Sequence, residues 1–323
     1  MVARPAYVDA PVPEAALRRE HAMARVHEPA FSRAFLRLSR NLLDAGTKKE
    51  LLVNLRAVEA GEMTVGEVVD AVPLFNAADP LSEKLWNMLS ASLARAIEST
   101  IEDAGDSEVR AQGWQFRFEV EKADKPTPIN PFSLAYVRER TAFLVANISD
   151  SQRDMLQQLI TESFARGDGP MAILKEIEEL VGLTTREATA VQNRKALLVS
   201  QGIPEVSMVK QVERYANSLL SKRARRIART EIISSYTKGL MDSWTLAQEN
   251  DDIAPDTQKE WIEMTLSTRT CPICRGLARQ QVPITENFVS DIVGPLERPP
   301  AHPQCRCTMV LVFADEEDEE EEV

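Results

Sequence analysis

Apolar residues follow a helical period through much of this chain. Between Ala15 and about Ile101 they recur at steps of three and four residues, which places them on one face of a helix. The clearest groups are Phe35, Leu36, Leu38, Leu42 and Leu43, followed by Leu85, Met88, Leu89, Leu93 and Ile97. The pattern predicts a helical N-terminal region.

A different pattern follows Gly113. Apolar and polar residues alternate from Trp114 to Val120, which is typical of a half-buried strand, either at a sheet edge or in a hairpin. Three prolines then fall within Lys122–Pro131 and exclude a regular element there. This segment predicts a linker or a domain boundary.

Helix start signals reappear after the linker. Ser149 and Asp150 can cap a helix, because their side chains accept hydrogen bonds from the first free backbone amides. The apolar side of that helix would consist of Met155, Leu156, Leu159, Ile160 and Phe164. Gly167–Pro170 then interrupts the pattern, and Pro170 suits the first turn of a new helix.

The new helix and its successors are also marked by local signals. Ile173, Leu174, Ile177 and Leu180 would line its buried side. Gly182 ends it, and Thr184 with Glu187 forms a capping box for the next helix. A long helical pattern runs from Glu205 to about Gln248, with a break predicted near Ser221 because so long a helix is unusual in a globular domain.

The character of the chain changes after Asn250. Trp261–Leu266 and Met309–Phe313 are short and strand-like, and cysteines, prolines and glycines lie between them. The fold class predicted is mainly α, a multi-helix body with a small α+β zinc-bound C-terminal unit. The predicted divisions are an extended arm at 1–13, a helical region with one strand at 14–124, a central helical domain at 125–250, the zinc unit at 251–314 and a disordered acidic tail at 315–323.

Charge is unevenly distributed along the chain. The net charge is −12, but eight consecutive acidic residues from Asp315 to Glu322 account for most of it and leave −4 on the remainder. Such a run is typical of a disordered tail, and a docking peptide or a DNA mimic is the alternative interpretation. No run of about 18 apolar residues occurs, so we expect no membrane span. The proline-rich arm also lacks the apolar core of a signal peptide.

All four cysteines lie between positions 271 and 307, together with one of the three histidines. Clustered thiols without a secretion signal favour metal binding over disulfides, and a CxxC turn can present two thiolates to one ion. The preferred ligand set is Cys271, Cys274, His302 and Cys305, with Cys307 as the alternative fourth ligand. Four protein ligands would close the coordination sphere of Zn²⁺, and no HExxH motif is present, so we expect a structural zinc.

The order of motifs in the C-terminal half resembles the phage Mu F-like head morphogenesis family. An Ala-Arg-Thr-Glu helix at Ala228–Glu231 precedes Trp261, a Cys-Pro-Ile-Cys turn at Cys271–Cys274, Gly276, and Pro-Pro-Ala-His-Pro-Gln-Cys-Arg-Cys at Pro299–Cys307. The resemblance extends from about Asn130 to Val312 and fades in the first 110 residues. One departure is that Ser267, Thr268 and Arg269 stand where the family usually has an Asp.

The resemblance implies a structural protein rather than an enzyme. It implies a minor capsid protein of the tailed-phage virion, assembled in the host cytoplasm and acting in head assembly, DNA packaging or DNA ejection. The portal protein, the major capsid protein or a scaffold protein would be its partner, with packaged DNA as a further possible contact and no membrane.

A group of basic residues on one predicted helix, called the basic stripe below, supports nucleic-acid binding as the alternative to a capsid role. Lys222, Arg223, Arg225, Arg226 and Arg229 cluster on one helix, where they can follow phosphates or hold an acidic partner. With the zinc unit they would form a nucleic-acid-binding module; a solvated helix face with local ion pairs explains them equally well. A metallo-nuclease is a third, weaker alternative. His21 and His27 are interpreted as surface or helix-packing residues.

Overall fold

The structure, a computed structural model, describes residues 12–41, 43, 45–72, 80–114, 131–263 and 270–313. Within these ranges the chain is mainly helical and ends in short strands, as predicted. Of the arm predicted at 1–13, residues 1–11 lie outside the described residues, and Val12 and Pro13 already belong to the first helix. The strand predicted from Trp114 lies outside them from residue 115 onwards, and so do residues 122–130 of the proline linker, whose last residue, Pro131, begins a helix. The acidic tail at 315–323 also lies outside the described residues. No helix among the described residues is long and apolar enough to cross a membrane.

The elements follow one another in a simple order. The helices are α1 (Val12–Asn41), α2 (Ala45–Glu59), α3 (Val65–Ala71), α4 (Pro80–Gln112), α5 (Pro131–Ala165), α6 (Pro170–Leu180), α7 (Thr185–Ser200), α8 (Glu205–Glu249) and α9 (Pro272–Leu277). The strands are β1 (Gln258–Ile262), β2 (Gln281–Pro283), β3 (Phe288–Ser290), β4 (Gly294–Leu296) and β5 (Thr308–Val312).

The local signals around α6 and α7 are confirmed. Pro170 occupies the first turn of α6, and the four apolar residues predicted to line it are buried. Gly182 follows the helix with φ +90°, a conformation that glycine adopts without strain. The Thr184 hydroxyl accepts from the Glu187 amide while the Glu187 carboxylate accepts from the Thr184 amide, as a capping box requires.

Two predicted helix boundaries are wrong. Ser149 and Asp150 do not start a helix, because α5 already begins at Pro131. A capping side chain contributes only about 1 kcal/mol, and Ile148, which is buried just before Ser149, favours continuing the helix. The break near Ser221 is also absent: α8 is continuous, and buried Leu220 and Ala224 carry its packing across that position.

The C-terminal strands form two small antiparallel sheets. In the larger, β1 lies between β2 and β5, with Trp261 opposite Met309 and Ile262 opposite Thr308. In the smaller, β3 pairs with β4. The predicted strand at Trp261 therefore starts earlier, at Gln258, and the predicted strand at Met309 starts at Thr308.

The chain contains two compact units, each assembled from several segments. Unit 1 comprises residues 1–29, 95–138 and 226–323, and unit 2 comprises residues 30–94 and 139–225. The contiguous domains proposed from the sequence stay a prediction.

Each unit has its own core. In unit 1, Tyr236, Leu240 and Trp244 of α8 pack in one apolar cluster with Met309 and Leu311 of β5. In unit 2, the Gln152 side chain holds the loop after α6, accepting from the Gly182 amide at 2.7 Å and donating to the Leu183 carbonyl at 2.8 Å. The candidate metal ligands belong to unit 1.

Candidate metal centre

The first pair of candidate ligands is placed by the short helix α9. Cys271 is its N-cap residue and Pro272 occupies its first turn. The Cys271 sulfur accepts a hydrogen bond from the Cys274 amide at 3.4 Å. This hydrogen bond fixes the position of the Cys271 sulfur at the start of α9. Cys274, one turn later, is buried.

The second group of ligands lies on a tight turn. The Cys305 amide donates to the His302 carbonyl at 3.0 Å, which closes a four-residue turn around Pro303 and Gln304. Gln304 has φ +65°, the positive value that the third position of a type II turn requires, and proline is common at the second. The turn places His302 before Cys305, which is buried.

The imidazole of His302 is oriented for metal binding. Its Nδ1 donates to the Pro303 carbonyl at 2.9 Å. A proton on Nδ1 leaves the Nε2 lone pair available, and hydrogen bonds of this kind fix the orientation of metal-binding histidines. Nε2 lies 3.1 Å from the sulfurs of both Cys271 and Cys274.

The five side chains form two overlapping groups of three donors. Cys271, Cys274 and His302 make one group, and Cys274, Cys305 and Cys307 make the other. Within each group every donor atom lies within 4.8 Å of the others, and Cys274 belongs to both groups. The Cys274 and Cys305 sulfurs are 3.7 Å apart. The structure therefore brings together all five candidates from the sequence.

The donor set fits a zinc ion. Tetrahedral Zn²⁺ with sulfur at 2.3 Å and nitrogen at about 2.0 Å needs its donors about 3.5 to 3.8 Å from one another. The sulfur–sulfur distance of 3.7 Å lies in that range, and the sulfur–nitrogen distances of 3.1 Å are somewhat shorter. Cys271, Cys274 and His302 could supply three donors to one ion. Cys305 or Cys307, whose group shares only Cys274 with the first, could supply the fourth.

Hydrogen bonding among the thiols separates their acidities. Hydrogen bonds from Cys274 and Cys307 lower the pKa of Cys305, although burial acts in the opposite direction. The hydrogen bond with Cys305, followed by that with Cys307 and by burial, raises the pKa of Cys274. Both shifts follow from the close contact of these sulfurs, of which those of Cys274 and Cys305 are 3.7 Å apart.

Aromatic and apolar side chains enclose the cluster. Trp261 and Phe288 meet edge to face with their ring centroids 5.1 Å apart, and both belong to the apolar cluster that contains Cys274, Cys305 and Cys307. The sequence marked Trp261 as a strand residue, but its place beside the thiols depends on how β1 pairs with β5. Burial in such surroundings excludes water and protects thiols from oxidation.

Glu20 was not singled out by the sequence. It is 1% exposed, and burial raises the pKa of its carboxyl group well above the usual range for Glu, with Thr308 and Arg229 acting in the opposite direction. Only the helical period of α1 could have indicated that this acidic side chain points inwards.

The basic stripe separates into different environments. Lys222, Arg225 and Arg226 are exposed, whereas Arg229 forms an ion pair with Glu28 at 3.6 Å. Arg223 is buried: its guanidinium donates to the Gly182 carbonyl at 2.5 Å and to the Ser151 hydroxyl at 2.6 Å. Arg223 is therefore a structural residue of unit 2 and cannot contact phosphate in this conformation.

The remaining histidines pack against helices, as interpreted from the sequence. His27 is buried, and its Nε2 lies 2.9 Å from the Asp103 carboxylate of α4. His21 is half-buried, and its pKa is lowered by burial first and then by Arg229, Arg306 and Arg25.

The departure from the family pattern lies outside the described residues. It consists of Ser267, Thr268 and Arg269.

Comparison with known proteins agrees with the motif order. Residues 154–310 match the family model described as Phage Mu protein F like protein. This range contains α6 to α9, all five strands except the last two residues of β5, and every candidate metal ligand. No curated protein and no solved structure gives a significant match. The predicted resemblance is confirmed, although the match starts later than residue 130.

Proposed function

Since residues 154–310 of this chain belong to the Phage Mu protein F-like family, we propose that the protein is a minor capsid component of a tailed-phage head. The match supports a role in phage head morphogenesis and a location in the virion. Beyond that, we propose that it associates with the portal vertex and assists head assembly and genome packaging or delivery. The family match is the observation that supports this function.

The portal protein is the proposed first partner, with the major capsid or scaffold protein as alternatives. A standard interface buries roughly 800 Å² on each partner, and the helices before residue 250 offer far more surface than the short strands around the metal cluster. The proposed contact surface therefore lies on the helices before residue 250, and substitutions of exposed side chains there in the full-length protein should weaken binding to portal or capsid.

Heads provide the direct test of this function. Mass spectrometry of purified procapsids and mature heads should find the protein at low copy number relative to the major capsid protein. It should also co-purify with portal oligomers when the two are expressed together. Its absence from both procapsids and heads would overturn the proposal.

We propose that the metal cluster binds one structural zinc ion. The four thiols and the imidazole are soft or borderline donors, and neither group of three among the described residues contains a carboxylate. Elemental analysis of protein purified without added metal should find about one zinc per chain. Four reactive thiols and no metal, or iron as the dominant metal, would contradict it.

A structural role also fits the donor set better than catalysis. Catalytic zinc keeps an open coordination position, whereas this cluster offers five protein donors for four positions. We therefore propose that the protein is not an enzyme. Hydrolysis of DNA in the presence of divalent metals, abolished by Cys274→Ser, would revive the nuclease alternative.

DNA binding is the second candidate function, and the exposed part of the basic stripe favours it. Arg225 is exposed on α8, and among the described parts of the chain its Nε donates only to a carbonyl of its own helix, that of Ser221, at 3.4 Å. If it contacts phosphate, DNA affinity should fall with salt, and Arg225→Gln should reduce that dependence by about one unit of slope. Arg186→Gln, an exposed arginine on α7, serves as the control.

A further inference from the structure

Two threonines on α8 hold the segment that carries His302 towards Cys305. Thr230 and Thr237 are seven residues apart, so they lie on the same face of the helix, about 10 Å from each other along its axis. The segment between their contacts is Pro299–Gln304. Both threonines belong to unit 1, as do the metal ligands.

Thr237 fixes the beginning of this segment. Its side chain is fully buried, and its hydroxyl lies 2.6 Å from the Pro299 carbonyl. Two carbonyls of its own helix are farther away, at 3.1 and 3.2 Å. A hydroxyl has one proton to donate, and the shortest distance assigns that proton to Pro299.

Thr230 fixes the end of the segment. Its hydroxyl donates to the Arg226 carbonyl at 2.9 Å and accepts from the Gln304 amide at 3.1 Å. The first bond orients the side chain on the helix, and the second uses the lone pairs that remain. Gln304 is the residue with positive φ in the turn from His302 to Cys305, and the hydrogen bond that closes that turn does not use its amide.

We infer that Thr230 is a positioning residue for the metal centre, and that α8 acts as the template on which the second pair of ligands is held. The inference rests on the proposed zinc site. Gln304 has a positive φ, which residues other than glycine rarely adopt. The hydrogen bond from its amide to the Thr230 hydroxyl stabilises that backbone conformation. The turn is thereby held in its binding conformation before the metal arrives. Metal binding therefore costs less conformational entropy.

Thr230→Val tests this role because it keeps the shape of the side chain and removes the hydroxyl. We expect zinc affinity, measured by competition with a chromophoric chelator on the full-length protein, to fall about tenfold, the lower end of the effect of outer-shell partners. Thr230→Ser, which restores the hydroxyl, should return the affinity to within about twofold of the original.

The matched control is Thr245→Val on the same helix. The Thr245 hydroxyl also donates to the carbonyl four residues earlier, Met241, at 3.0 Å. Among the described residues it forms no hydrogen bond with the ligand segment. Its replacement should leave zinc affinity unchanged. An ordinary packing role for Thr230 would lower the melting temperature of the metal-free protein while leaving zinc affinity as it was, and that result overturns the inference.

Amide hydrogen exchange gives a second test without any substitution. In the zinc-loaded protein the Gln304 amide should be protected, because it is hydrogen-bonded to Thr230. Fast exchange at Gln304 overturns the inference even if Thr230→Val does not fold. A full-length protein that binds no zinc at all removes the proposed site as well as this role, whereas equal affinity of the original protein and Thr230→Val removes this role alone.

Discussion

At the scale of single residues, the four thiols and one imidazole provide one donor more than a tetrahedral zinc ion binds. Cys274 belongs to both groups of three donors, whereas Cys305 and Cys307 compete for the last position. The sulfurs of Cys274 and Cys305 are 3.7 Å apart, which is the spacing of two thiolates on one zinc ion, so we expect Cys305 to be the fourth ligand.

Paired serine substitutions test that preference. Cys305→Ser should lose tight zinc binding, because a hydroxyl is a poor zinc ligand. Cys307→Ser should retain one equivalent with a modest loss of affinity. Elemental analysis and chelator competition on both variants check this. The reverse order of effects would make Cys307 the ligand.

Lys259 should make stability depend on pH. It is buried in β1 and donates to the Glu297 carbonyl at 2.8 Å. Burial lowers the pKa of its ammonium group to about 8; the charge of Glu297 opposes this shift, and the charge of Arg298 adds to it. The folded state therefore releases its proton at a lower pH than the unfolded chain, whose Lys titrates near 10.5. The penalty for folding with a charged Lys259 is constant below pH 8 and diminishes as pH rises from 8 towards 10.5.

The comparison with Lys259→Met isolates this effect. Between pH 8 and 9.5 the free energy of unfolding of the original protein should increase relative to that of the variant, by about 1 kcal/mol per pH unit. Denaturant unfolding of both zinc-loaded proteins measures the difference. A difference that stays flat with pH would mean that the Lys259 ammonium is not destabilised in the fold.

At the scale of elements, α8 serves several purposes along its length. Its Thr230 and Thr237 hold the ligand segment, and its Trp244 packs beneath the strands, with the indole N–H donating to Glu108 of α4 at 3.2 Å. Gly239 lets α4 approach closely: a Cβ there would lie 2.5 Å from the Ile101 carbonyl oxygen and 2.8 Å from the Ala104 Cβ.

Gly239→Ala should therefore destabilise unit 1 by about 2 to 3 kcal/mol, because backbone atoms have to move apart. Gly66→Ala in α3 is the control, since the nearest atom to its added methyl group would be 3.9 Å away. It should be stabilising by about 0.5 to 1 kcal/mol through helix propensity. Thermal unfolding checks both. Equal effects would show that α4 and α8 are not close at Gly239.

Arg223, which is buried on α8, should contribute more to stability than its exposed neighbours on the same helix. Arg223→Met should destabilise unit 2 by about 2 to 4 kcal/mol, since it leaves the Gly182 carbonyl and the Ser151 hydroxyl without this partner. Arg225→Met, two residues later and exposed, should change stability by less than about 0.5 kcal/mol. Chemical denaturation measures the pair, and similar costs for both would place Arg223 at the surface.

At the scale of the whole molecule, unit 1 combines the helices with the metal cluster. The apolar cluster that includes Tyr236 and Trp244 of α8 also includes Ile284, Met309 and Leu311 from the C-terminal part of the chain. The residues that flank the candidate ligands therefore share a core with α8, whereas Cys274, Cys305 and Cys307 lie in the apolar cluster of Trp261 and Phe288.

Removal of zinc should consequently affect unit 1 more than unit 2. We expect a strong chelator to increase amide exchange in residues 270–313 first and in β1 next, with α6 and α7 still protected, because those helices have a separate core. Hydrogen-exchange mass spectrometry measures this. Simultaneous loss of protection in α6 and α7 would show that the two units unfold together.

The sequence alone determined the features that depend on neighbouring residues. The start of α6 at Pro170, the capping box of Thr184 and the CxxC turn are local, so a short stretch of chain contains all the atoms that stabilise them. The two pairs of candidate ligands, Cys271 with Cys274 and His302 with Cys305, could be predicted from their spacing for the same reason. The meeting of the two pairs, 28 residues apart at Cys274 and His302, depends on the fold. Motif order was sufficient to indicate the family.

Only the tertiary structure decided what depends on distant residues. The start of α5 at Pro131, the burial of Arg223 against the Gly182 carbonyl and the contact of Thr230 with Gln304 all join positions whose proximity no local pattern encodes. A capping residue contributes about 1 kcal/mol, whereas burial of one large apolar side chain contributes about 1.5 to 3 kcal/mol. Burial of apolar side chains therefore outweighed the local helix-start signal where the two disagreed, as at Ile148 and Ser149 in α5.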